Sequence, residues 1–183
     1  MKVLELPRPA TIDDLYRVEG KAELVHGQIV IMDGTGFRPM RAEAAIYRSL
    51  WDHEVASGGG YALPGGGYVV DLPHRKSFCP DGAWYTGRDT GGRFMEGAPA
   101  LAIEVRSEGD YGLTAEREMA AKRADYFAAG TQVVWDVDVL RAGVIRVFRA
   151  DDPTRASLFR RGELADAEPA VPGWRFTVDE LFR

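Results

Sequence analysis

The stretch "PALAIEVRSE", residues 99–108, decides the fold. Leu101, Ile103 and Val105 alternate with Ala102, Glu104 and Arg106, which is the period-two pattern of a strand. One face is apolar. The other carries small residues and, in mid-strand, a carboxylate two positions before an arginine. A charged group there calls for a partner.

Downstream, "LTAEREMAAKRADYFAAGT" is the strongest helix of the chain: Ala-rich, with acids early, bases later and Gly130 placed to end it. Two strands follow, "QVVWDVDV" and "GVIRVFRA", joined around Arg141-Ala142-Gly143. Upstream, "FCPDGAWYTG" gives a strand over residues 83–86 after Pro80-Asp81. A Gly-rich loop, "GRDTGGRFMEGAP", connects it to the opening strand. The two GGGY units at residues 58–61 and 65–68 read as turns between short strands, since no Lys-Ser or Lys-Thr follows them.

Nearer the N-terminus, "RPMRAEAAIYRSLWDHEVAS" spaces apolar residues for an amphipathic helix over 40–56. "KAELVHGQIVIMDG" reads as a hairpin of strands 22–25 and 28–32 around His26-Gly27. Thr11, with Asp14 three positions on, predicts a capped helix over 12–18. The tail "PGWRFTVDELF" is extended and ends in a helical turn. This order predicts an α/β (α+β) sandwich around a mixed sheet, not a regular doubly wound fold.

The chain of 183 residues fits one domain over 1–183, at 45% hydrophobic and 28% charged. Its formal net charge of −5 counts against a protein that coats nucleic acid non-specifically. An enzyme using a local basic strip and a metal remains open. The absence of a long apolar run, an N-terminus that meets proline early and a lone Cys79 lead us to expect a cytoplasmic protein without a membrane span.

Asp81 and Glu104 are 23 positions apart, yet antiparallel pairing of their strands brings the start of one beside the end of the other. Two carboxylates so placed repel unless a cation or proton lies between them, and oxygen ligands with water suit Mg²⁺ or Mn²⁺. Equally, Asp81 can start a turn and Glu104 can pair with Arg106. Lys122 shares a helix face with Glu118 and Tyr126, so it either points at the carboxylates or forms a surface pair with Glu118. Glu23, at the start of the hairpin, is a further acidic candidate. Asp136 and Asp138 share a strand face and read as solvated edge residues. His26, His53 and His74 make no zinc spacing, and Ser107 lacks a nucleophile elbow.

Five blocks in order, "AELVHGQIV", "CPDGAWY", "PALAIEVRSE", "KRADYFAAGTQVVWDVD" and "PGWRFTVDELF", resemble the Uma-type family of restriction endonucleases within the PD-(D/E)XK nuclease superfamily. The resemblance implies a restriction-endonuclease-like core: a mixed sheet flanked by helices, with an N-terminal hairpin. It also implies a Mg²⁺- or Mn²⁺-dependent phosphodiester cleavage site and DNA as substrate. Asp81 and Glu104 match the motif acids, and Glu23 matches the family's N-terminal acid, so these three are the expected metal ligands. The superfamily's lysine two after the glutamate is Arg106 here, which cannot act as a base and is expected on phosphate. Lys122 then takes the lysine's place. The family's histidine near the second helix is replaced by Arg41, a second expected phosphate contact. A homodimer is also implied, with the apolar "VIRVF" strand as its only hint in the residues. Two other readings stand beside the nuclease: a catalytically silent member that binds nucleic acid or a protein, and a small-molecule metal hydrolase.

Overall fold

The computed structural model describes residues 2–183. In chain order the elements are β1 (Lys2–Leu4), α1 (Ile12–Leu15), β2 (Ala22–Val25), β3 (Gln28–Ile31), α2 (Phe37–Ser57), β4 (Tyr61–Leu63), β5 (Tyr68–Val69), β6 (Ser77–Phe78), β7 (Gly82–Tyr85) and β8 (Met95–Glu96). They continue with β9 (Leu101–Val105), α3 (Leu113–Ala128), β10 (Val133–Asp138), β11 (Val144–Arg149), β12 (Asp152–Arg160), β13 (Leu164–Asp166) and β14 (Arg175–Thr177), and end in a 3₁₀ turn, Val178–Phe182.

Six strands form the central sheet in the order β12-β11-β10-β9-β7-β4. The opening stretch, β9, lies inside it. β9 runs parallel to β10 and antiparallel to β7. A parallel neighbour needs a crossover, and α3 is that crossover. Leu101, Ile103 and Val105 share one face with Val133, Trp135 and Val137 of β10. Against that face α2 lays Ala42, Ile46 and Leu50, one apolar residue per turn, and the tail adds Trp174, Phe176, Val178 and Leu181. On the opposite face Ala83, Ala102 and Val134 pack under Tyr126 of α3 and Phe78, whose rings stack at 4.0 Å.

The N-terminal sheet β1-β3-β2 has its own small core of Leu15, Leu24 and Ile29. It is tied to the segment before β6 by Lys76 N–H on the Leu24 carbonyl (2.9 Å) and His26 N–H on the His74 carbonyl (2.6 Å). That tie carries Glu23 to the rim of the central sheet. Thr11 caps α1 reciprocally with Asp14 as the sequence predicts, but the helix stops at Leu15. α2 begins at Phe37, three residues earlier than its apolar spacing indicates.

Candidate active site

The β7–β9 register pairs Gly82 with Ile103 and Ala83 with Ala102, so Asp81 enters the sheet across from Glu104. Asp81 N–H donates to the Ile103 carbonyl at 2.9 Å, and Asp81 Oδ2 accepts Val105 N–H at 2.7 Å. The Asp81 carboxylate is thus held by the strand it faces.

Glu104 is fixed by α3. Tyr126 Oη donates to Glu104 Oε1 at 2.6 Å, and Lys122 Nζ lies 2.9 Å from the same oxygen. Lys122 Nζ is also 2.9 Å from Glu23 Oε1, so one ammonium bridges two acids from distant parts of the chain. Its side chain is 18% exposed, and Glu118 is not its partner. Burial opposes the charge on Lys122, but Glu104 and Glu23 outweigh it and hold its pKa well above the ordinary lysine value. Burial pushes the Glu104 carboxyl up, and neighbouring Asp81 adds to this against the pull of Lys122.

Two groups here had no signal in the sequence. Lys21, just before β2, pairs with Asp81. Burial works against its charge, and Asp81 and Glu104 more than offset that, raising its pKa. Glu43 of α2 is the second. Burial, then the charge of Asp81, lifts its carboxyl to about 7. Its Oε1 is buried with no hydrogen-bond partner among the described residues. Nothing in a helical "RAEAA" marks that glutamate, and nothing in "GKAEL" marks that lysine. Their meeting is a product of tertiary structure.

Glu23 closes on the same lysine, while Arg106 and Arg41 lie elsewhere. Glu23 is engaged by Arg75 Nη1 (2.5 Å), Lys122 and the Cys79 N–H (2.9 Å). It holds cations of this chain. Arg106 is 2% exposed, and its donors are taken within the chain. It clamps Asp136 through Nε and Nη2 at 2.6 and 2.7 Å and also pairs with Glu116. Arg41 lies nearly opposite Glu43 round α2, where it donates to the Arg183 carbonyl at 3.0 Å. Asp136 and Asp138 are buried, not solvated, because β10 is a central strand with neighbours on both sides.

Among the described residues, no group of three or more acid, histidine or cysteine side chains closes around a point as a metal cage would. The donor set nevertheless fits Mg²⁺. That ion needs only one or two carboxylates and fills its other positions with water and substrate phosphate oxygens. Asp81 and Glu104 supply two hard oxygen donors on adjacent strands. The unpartnered Glu43 oxygen is one that an ion or its water shell would satisfy.

The Uma2 family model, described as "putative restriction endonuclease", matches residues 10–179. No curated protein matches the chain. Among solved structures, a crystal structure of "a putative nuclease belonging to DUF820" from Anabaena variabilis aligns with a TM-score of 0.74. The two are 17% identical, and the alignment covers 95% of this chain and 98% of that one. At that identity the likeness is one of fold: a mixed central sheet flanked by helices, of restriction-endonuclease-like type.

Proposed function

The chain belongs to the Uma2 family, described as "putative restriction endonuclease", and from that premise we propose that it is a metal-dependent endodeoxyribonuclease that hydrolyses phosphodiester bonds. The observation that carries this reading is Asp81 facing Glu104 across adjacent strands, with Lys122 bonded to Glu104. Asp81 and Glu104 would hold Mg²⁺ or Mn²⁺, with Glu43 beside them. The ion's chemistry there is to lower the pKa of a bound water and offset charge on the phosphate.

The chain's own residues do the rest. Glu104 and Glu23 favour the protonated form of Lys122. This lysine orients the attacking water and offsets charge on the phosphoryl oxygens. Glu23 and Glu104 hold Lys122 in place, Tyr126 fixes the rotamer of Glu104, and Val105 N–H fixes Asp81.

Incubating the protein with supercoiled plasmid and Mg²⁺ or Mn²⁺ tests this. Nicking should vanish with EDTA and fall at least a hundredfold in Asp81→Ala and Glu104→Ala. Cleavage that survives unchanged in either variant overturns the assignment.

We read the working form as a homodimer, since two related sites cut both strands of a duplex. The "VIRVF" strand does not support it, because β11 lies between β10 and β12. An exposed apolar row on α2, Phe37, Met40, Trp51 and Val55, does. A light-scattering mass equal to the 20.2 kDa monomer would remove the dimer.

A catalytically silent nucleic-acid binder is the second reading. Lys21 on Asp81 and Lys122 on Glu104 favour it, because they balance the acids without any metal. Calorimetry showing no Mg²⁺ or Mn²⁺ binding to the wild type would select that reading.

A further inference from the structure

The charged face of the sheet continues past Glu104. Asp136 lies across from Glu104 on β10, and Arg146 lies across from Asp136 on β11. The Arg106 fork already takes both Asp136 oxygens. Two further guanidinium groups crowd the same carboxylate without bonding to it. Arg123 Nη1, from α3, stops 3.8 Å from Oδ2, and Arg146 Nη1 stops 3.8 Å from Oδ1.

Arg146 Nη2 is also 3.8 Å from Asp138 Oδ2, while Asp138 Oδ1 is taken by the Tyr111 hydroxyl (2.8 Å) and the Arg141 N–H (2.9 Å). Arg123 sits on the Phe148 ring, 3.9 Å from Cζ to centroid. Arg123 Nε and Nη1 and Arg146 Nη1 are buried with no hydrogen-bond partner among the described residues. Leaving a buried donor unbonded is costly, because its lost hydration is not replaced. Three such donors on two positive forks, with the facing acids Asp136, Asp138 and Glu116 already bonded to other groups, form an acceptor-hungry site for a planar or tetrahedral oxyanion.

We propose that Arg123 and Arg146 bind a phosphate group. As a source of that group, the phosphodiester of a nucleic acid rests on the nuclease reading. Arg146 stands two strand spacings from Glu104, about 10 Å, so the group held would be a neighbour of the scissile phosphate on the same backbone. Burial, with Arg106 and Arg146 nearby, lowers the Arg123 pKa against the pull of Asp136 and Glu116, and a bound anion would relieve that crowding. Lys122 and Arg123 are consecutive on α3, so the helix would deliver one cation to the reacting phosphate and the next to its neighbour.

The test uses the full chain in EDTA and reads binding, not cleavage. Inorganic phosphate is titrated by calorimetry, and a short DNA oligonucleotide is then added to the phosphate-loaded protein. Wild type binds phosphate, and Arg123→Gln and Arg146→Gln each weaken binding at least tenfold with an unchanged circular dichroism spectrum. In the same variants the slope of log affinity for the oligonucleotide against log salt falls by about one. Arg146→Lys, which keeps the charge but loses the fork, gives an intermediate affinity, and it carries the test if Arg123→Gln does not fold.

Displacement of phosphate by the oligonucleotide assigns the site to nucleic acid. Phosphate that binds but is not displaced assigns it to the free ion. No phosphate binding by wild type, or equal binding by the glutamine variants, overturns the proposal. Since no cleavage is measured, a protein without nuclease activity can still pass, and one that fails can still cut DNA.

Discussion

Arg106 holds two acids at once. One of them, Asp136, is as buried as itself, and each takes up the charge of the other through the fork. Burial of a charge is tolerated when every donor and lone pair is used, and a bidentate fork does this where an ammonium cannot. Arg106→Lys should therefore destabilise the protein by about 1–3 kcal/mol, with no gain in plasmid cleavage. Thermal melts and the nicking assay together check both halves. Glu43 gives a second prediction. Its carboxyl titrates near 7 when folded, against an ordinary value of 4.5. Between those pH values the folded state holds a proton that the unfolded chain has lost, so this group's contribution to stability falls as pH rises through that window. In EDTA, Glu43→Gln should melt with wild type at pH 4 and about 2–4 °C above it at pH 8. That corresponds to about 1 kcal/mol after allowing for solvent screening of a partly exposed acid. Asp81, Glu104 and Lys122 were legible because a strand or helix pattern sets each on a definite face. Lys21 and Glu43 were not, because nothing local distinguishes them from surface charges until the hairpin and α2 close over the sheet.

At the scale of elements, the β9-α3-β10 unit does most of the positioning. It sets Glu104 beside Asp136 and hangs Lys122, Arg123 and Tyr126 over them. The segments α2, β9, β10 and β11 were legible because each buries a face, and α3, where only Tyr126 is buried, because of its Ala-rich composition and the order of its charges. The two-residue strands β5, β6 and β8 were not, since they are too short to show a period and exist only by pairing. The "DVD" segment misled because alternation tells which residues share a face, not whether a helix will cover it. The turn from α2 into β4 is a tight point. A Cβ on Gly60 would sit 2.5 Å from Trp84 Nε1, inside the core that α2 shares with β7. Gly60→Ala should cost about 1–3 kcal/mol by overpacking. Chemical denaturation should show a lower midpoint with an unchanged slope, whereas a wild-type midpoint would show that Trp84 yields freely.

Across the whole molecule, a net charge of −5 coexists with two buried arginines, Arg75 and Arg106. No helix among the described residues is long and apolar enough to cross a membrane. A net negative charge repels a polyanion at long range, so on the proposed nuclease reading nucleic acid would be captured by short-range contacts, and affinity should fall steeply with salt despite the negative total. The Lys21–Asp81 pair has a consequence for how a divalent ion would arrive. The acids are already neutralised by tethered ammonium groups, so loading would be an ion exchange rather than the filling of a negative hole. An exchange is weak in the resting protein and improves when an incoming phosphate offers Lys21 another counter-charge. Lys21→Ala removes the competitor. It should bind Mn²⁺ several-fold more tightly than wild type in calorimetry without substrate, and equal affinities would show that Lys21 does not contest the site. On the proposed nuclease reading, that pair would be a safety catch: the tethered cation would keep the cutting ion loosely held until there is something to cut.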